Sequence, residues 1–136
     1  MYKLTMLLIF SVLILNACSA SNVLSKLSGT NWDVTNLLGK TLASEDLAKG
    51  LPSLNFGENG KLFGSTGCNN FTGDFKLDGT KLSLNPGAIT KMMCPGNTEQ
   101  NFLDAIKQVT NVKMNGDNLE LLNGAKTVMS LVQKSR

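Results

Sequence analysis

Short apolar stretches alternate with turn residues along most of this chain, and that period-two pattern predicts strands. Trp32, Val34 and Leu37 mark a first strand ending near Gly39. Leu54-Asn55-Phe56 and Lys61-Leu62-Phe63 flank Gly57-Glu58-Asn59-Gly60, a hairpin signal. Phe71 to Leu77 and Lys81 to Leu84 flank Asp78-Gly79, a second signal of the same kind. Val112 to Met114, Leu119 to Leu122 and Val128 to Val132 read as closing strands. Their turns are Asn115-Gly116-Asp117-Asn118 and Asn123-Gly124. Gly64, Gly67 and Gly73 suggest bulges or close backbone approach.

Two segments depart from this pattern. Thr41 to Lys49, with Ser44 near its start and Gly50 just past its end, is expected to form a short helix. The main helix is marked by Phe102, Leu103, Ile106 and Val109 at helical spacing. Asn97 or Thr98 is placed to cap it, and Glu99 complements the positive end of its dipole. The expected fold is α+β: a curled antiparallel sheet or partial barrel of six or seven strands with one main helix. Curling hides the sheet edges, and the helix plugs or covers the barrel.

The first residues belong to something else. MYKLTMLLIFSVLILNAC has one cation, Lys3, then an apolar run from Leu7 to Leu15 broken only by Ser11. A membrane helix needs about 20 apolar residues, so this run reads as an export signal. Leu15-Asn16-Ala17-Cys18 resembles the lipobox of bacterial lipoproteins, with Asn16 standing where a small residue is usual. That resemblance implies a signal peptide over residues 1–17 and acyl lipid, such as palmitate, on Cys18. The competing reading is an ordinary cleaved signal in which Cys18 is coincidental. Ser19, rather than an inner-membrane Asp, follows the cysteine, and by the enterobacterial sorting rule this implies the outer membrane, with the domain facing the periplasm. Residues 18–28 are expected to be the lipidated N-terminus and a short polar tether, and 29–136 the domain.

Composition narrows the chemistry. The 136 residues carry 13 basic and 10 acidic side chains, a formal charge of +3, and no histidine. Without histidine, general acid–base catalysis and zinc binding lose their commonest side chain, so no catalytic residue, cofactor or metal is expected. The cations are dispersed and Arg136 is the one arginine, which argues against a nucleic-acid partner. Nothing suggests an oligomer, and a monomer is expected.

Further residues carry a resemblance to a family. Trp32 after Gly29-Thr30, Pro52 with Leu54 and Phe56, and Gly64-Ser65-Thr66-Gly67-Cys68-Asn69 resemble the META domain, also called HslJ-like. So do Thr90-Lys91-Met92-Met93-Cys94, the Glu99-x-x-Phe102-Leu103 helix and Leu119-Glu120-Leu121, over roughly residues 27 to 133. The resemblance implies a small exported or outer-membrane lipoprotein of antiparallel strands and a helix. It also implies a link to heat shock and novobiocin resistance, with no established enzymatic activity. A relative in Leishmania is associated with virulence. The fold also resembles the cracked barrel of a secretin pilotin.

With Cys18 taken by lipid, Cys68 and Cys94 remain for an oxidising compartment, and a disulfide is the favoured reading. Competing readings are a redox couple, which lacks the usual Cys-x-x-Cys, a metal site, which lacks further ligands, and a nucleophile without its histidine. Two free buried thiols are a further alternative. Asn69, Asn70 and Thr72 could contact a ligand or partner, although turn capping explains them too. Trp32 could stack on a ligand but more simply anchors the core. Met92 and Met93 are expected to pack, and Asp74 and Asp78 to be solvated turn carboxylates. The functional expectation is a non-catalytic envelope lipoprotein, a binding or stress-related integrity factor with an envelope protein as partner. The alternatives are a carrier of lipid or a small hydrophobic ligand, a pilotin-like chaperone, or a thiol-dependent enzyme.

Overall fold

A computed structural model describes residues 18–134, and their side chains from Val23 onward. The signal segment 1–17 and the Cys18 side chain therefore lie outside the described part. Helix α1 (Cys18–Leu27) leads into strand β1 (Asn31–Leu37). A two-residue turn with Leu38 at φ 52° and Gly39 at φ 82° joins β1 to β2 (Lys40–Thr41). Then come β3 (Ser53–Phe56), β4 (Lys61–Ser65), β5 (Asn70–Asp78) and β6 (Lys81–Ile89). Helix α2 (Thr98–Gln108) separates these from β7 (Asn111–Asn115), β8 (Asn118–Asn123) and β9 (Lys126–Gln133).

The strands form one antiparallel sheet in the order β2-β1-β3-β4-β5-β6-β7-β8-β9, and β1 also pairs with β9. Eight strands thus run round a near-ring, with β2 continuing beside β1 where β3 ends. The seam is weakest between β6 and β7, which share the single register pair Lys81–Asn111. Flanking bonds from Leu82 N to Thr110 O and from Val112 N to Thr80 O, both 2.9 Å, complete it. Helix α2 connects these two strands and packs against β6, β1 and β9.

A ring of about eight strands has an interior that side chains just fill. Trp32, Phe56, Phe71, Leu54, Leu62, Leu119 and Met129 are all buried there or beside it, joined by Phe102 and Ile106 of α2. The Phe56 and Phe75 rings meet edge-on at 5.1 Å, and Phe102 fastens the helix to Phe71 at 5.7 Å. The ring interior is a packed core.

Three local expectations change. The sheet has nine strands rather than six or seven; β2 has two residues, both exposed, and shows no alternation in the sequence. Thr41 to Lys49 is not a helix beyond the single 3-10 turn Ser44–Asp46. Its backbone is committed elsewhere, since Leu42 N donates to Thr35 O and Lys49 N to Gly67 O. The segment expected as a short tether packs on the domain from Val23 onward: Val23 and Leu27, four apart on α1, lie against the core, and Leu27 is fully buried.

Two glycines earlier read as close approaches are that. A Cβ on Gly64 would collide with the Ser53 carbonyl, and one on Gly73 with the Asn85 carbonyl and the Pro86–Gly87 backbone. Gly73 lies one residue past the register shift of β5 and β6 between Phe71 and Thr72. Replacing Gly73 with Ala is expected to cost about 1–3 kcal/mol in denaturant unfolding. The same substitution at open Gly79 meets nothing within 4 Å and strains only the turn.

Asp33 on β1 gives a pH-dependent prediction. Burial pushes its carboxyl above the ordinary 3.8, with Lys134 pulling the opposite way. The unfolded chain therefore releases this proton at lower pH than the folded one. Stability falls as pH rises through the unfolded and then the folded pKa, and the deficit persists at neutral pH. Asp33→Asn is expected to raise Tm at pH 7, with the gain disappearing well below the unfolded aspartate pKa.

Candidate functional site: a clamped polar cluster at the start of the second helix

The short link from β4 to β5 contains Thr66, Gly67, Cys68 and Asn69, all buried although two of them are polar. Buried polar side chains require partners. Thr66 Oγ1 accepts from the Asn69 backbone N–H (2.9 Å) and the Cys68 N–H (3.3 Å), turning the link tightly. Its own proton goes to Glu99 Oε2 at 2.6 Å. Asn69 Oδ1 accepts from Met92 N (2.7 Å) and Thr90 Oγ1 (3.0 Å). Asn69 Nδ2 donates towards Glu99 Oε2 (2.9 Å) and the Met92 carbonyl (3.1 Å). One amide thus ties together the β4–β5 link, the 90–97 loop and the first turn of α2.

The disulfide reinforces the same junction. Cys68 and Cys94 are bridged, with S–S 2.11 Å and Cα–Cα 5.9 Å, across 26 positions of sequence. A loop of that length is worth about 3–4 kcal/mol in the chain-entropy model. Cys68 is buried and Cys94 half-buried, so the bridge has one face towards solvent.

Other expected site residues are dispersed. Trp32, which could have stacked on a ligand, is instead the core anchor: it is fully buried, and its indole N–H donates to Leu27 O at 3.2 Å. Asn70 has an exposed side chain; its backbone N–H reaches Thr90 Oγ1 at 3.0 Å. Thr72 is exposed on β5, and Asp74 makes a surface ion pair with Lys61 at 3.6 Å. Met92 and Met93 do not pack as expected: they are 48% and 99% exposed. Their backbone is held inward by Asn69 and the bridge, which leaves the side chains facing out.

Glu99 is the member that sequence reasoning assigned a lesser role. Its position in the first turn suits the helix dipole, and that much is visible in the sequence. Its contact with Thr66, 33 positions earlier, required the fold.

Asn69→Ala is expected to cost about 1–3 kcal/mol, because the Met92 amide and the Glu99 carboxylate lose a buried partner. Asn70→Ala, at an exposed side chain, should change stability by less than about 0.5 kcal/mol. Denaturant unfolding separates the two, and amide exchange at Met92 should quicken only in the first.

Comparison with known proteins agrees with the architecture. A search of curated proteins finds no match. A protein solved by NMR matches with 26% identity and a TM-score of 0.63, over 80% of this chain and 92% of that one. A second NMR structure, of a protein from Burkholderia xenovorans, shows 20% identity and a TM-score of 0.64 over 85% and 88%. A DUF4847 family protein from Bacteroides vulgatus shows 18% identity and 0.60 over 84% and 99%. The META domain model matches residues 25–136, a span that takes in β1, the buried Thr66–Asn69 link and the end of α1, and the chain belongs to the META domain family.

Proposed function

We propose that this META domain is a non-catalytic, lipid-anchored binding module of a bacterial envelope that supports envelope integrity under stress. The observation that carries the reading is the 90–97 loop. It is held by a disulfide and a buried asparagine, yet presents Met92 and Met93 to solvent. A mobile loop would lose entropy on docking, whereas a clamped one is already ordered. Exposed, polarisable methionines suit an apolar protein surface.

The lipobox-like segment supports attachment through Cys18, with outer-membrane placement following from Ser19. Helix α1 begins at that cysteine and packs on the core from Val23, so about five residues, or ~8 Å at 1.5 Å per residue, separate an anchor from the barrel. The domain would then stand close to the membrane. Two of its carboxylates have partners within the chain, Glu99 in Thr66 and Asn69 and Asp74 in Lys61.

A second reading, capture of a small hydrophobic ligand, rests on one groove at the β6–β7 seam. It measures about 510 Å³, is lined by Leu77, Leu82 and Val109, and carries Lys76 and Lys81 at its rim. The packed interior argues against carriage inside the ring.

Intact mass of the protein from native membranes, with and without reduction, tests the anchor. Cleavage before Cys18 plus acyl chains is expected, and an unlipidated chain would remove the anchor and the localisation. A strain lacking the protein should lose heat or novobiocin tolerance, restored by the wild type but not by Cys18→Ser or Met92→Ser/Met93→Ser. Full rescue by the methionine variant would dismiss the loop as the contact. Loss of rescue on placing Asp in the groove, at Leu77, would favour the ligand reading.

A further inference from the structure

Around the bridge lies a set of oxygens whose arrangement the disulfide does not use. Glu99 Oε2 is 3.5 Å and the Met92 carbonyl 3.4 Å from Cys94 Sγ, and the Met93 carbonyl is 3.7 Å from Cys68 Sγ. A bridged sulfur has no proton, so none of these is a hydrogen bond in the oxidised protein. In the dithiol state the two sulfurs move apart, and each thiol then has an oxygen acceptor close by. Acceptors for a reduced pair therefore already surround the bridge.

They also converge. One ligand atom each from Cys68, Cys94 and Glu99 lies within 4.8 Å of the others. Thiolate and carboxylate are both zinc ligands, and three protein ligands leave a fourth position open. Thr66 and Asn69 fix the Glu99 carboxylate, as outer partners do for metal-binding carboxylates.

We propose that the reduced protein binds one divalent, zinc-class cation through the thiolates of Cys68 and Cys94 and the carboxylate of Glu99. The reductant is a dithiol. Its thiolate attacks Cys94 Sγ, on the more exposed of the two cysteines, breaking the bond to Cys68 and forming a mixed disulfide. Its second thiol then displaces Cys94, so the dithiol leaves as a disulfide, two electrons poorer, and both protein thiols are free. The cation displaces their two protons to solvent, and water takes the open position on the half-buried Cys94 side. Bridge and cation are alternative occupants of one place, since the two sulfurs cannot be bonded to each other and to a cation at once.

The test uses the full-length chain, reduced with a phosphine that is then removed, and titrated anaerobically with zinc against a chromophoric chelator. Cadmium is titrated in parallel, because its thiolate charge-transfer absorption reports sulfur ligation. The expected result is one zinc per chain, two protons released per zinc, a cadmium–thiolate band, and no binding by the oxidised form. Cys68→Ser/Cys94→Ser should abolish binding, and Glu99→Gln should weaken it at least ~10-fold with both thiols intact. Circular dichroism checks that each variant is folded. Stoichiometry, proton release and absorption read the unaltered sequence, so an unfolded variant does not remove the test. Zinc uptake no greater than in the oxidised protein, or cadmium binding without the thiolate band, would overturn the proposal. Unchanged affinity in a folded Glu99→Gln variant would overturn the three-ligand site.

Discussion

Strand β1 pairs with β3 on one edge and with β9 on the other, and this double pairing closes the sheet on itself. Much of the remaining structure follows from that closure. The ring of eight strands closes least completely between β6 and β7, where there is a single register pair. Helix α2 fills the connection across that seam, with Phe102, Ala105 and Ile106 buried against the core. Its position is therefore a condition for a closed core.

That condition explains why the polar cluster is where it is. The amino end of α2 follows an irregular loop, and no side chain caps the helix at Asn97. The helix is instead held through Glu99, which receives the Thr66 hydroxyl and the Asn69 amide from the opposite side of the junction. The Cys68–Cys94 bridge spans the same gap covalently. Apolar packing sets how deeply the helix sits, while the directional bonds set its angle and register. The same polar atoms surround the two sulfurs, so a structural clamp and a metal-binding dithiol draw on one set of groups.

Loop 90–97 has its backbone fastened and its methionines outside. Burying Met92 and Met93 would require the loop to turn inward, but the Met92 amide and carbonyl are both engaged by Asn69. An amide gripping both polar groups of one residue leaves little rotation for the segment. The cost of ordering is thus met on folding, before any partner arrives.

Sequence by itself determined what depends on neighbours along the chain. The strand alternation of β3 to β9, the glycine turns, the amphipathic stripe of α2 and the cysteine pair were all legible. So was the burial of Trp32, from its place in an alternating strand. The META resemblance was legible as well, because its motifs are contiguous. Tertiary structure alone decided what depends on distant partners. The two-residue β2 has no pattern of its own. Residues 41–49 lost their local helical preference to hydrogen bonds donated to the Thr35 and Gly67 carbonyls, and the polar stretch before Ser28 became helical because Val23 and Leu27 found a core to cover. Asn69 and Glu99 look like ordinary turn and dipole residues until the ring brings them together across 30 positions. The physical reason is common to all of these: periodicity encodes which face is buried, but a hydrogen bond between remote side chains leaves no periodic trace.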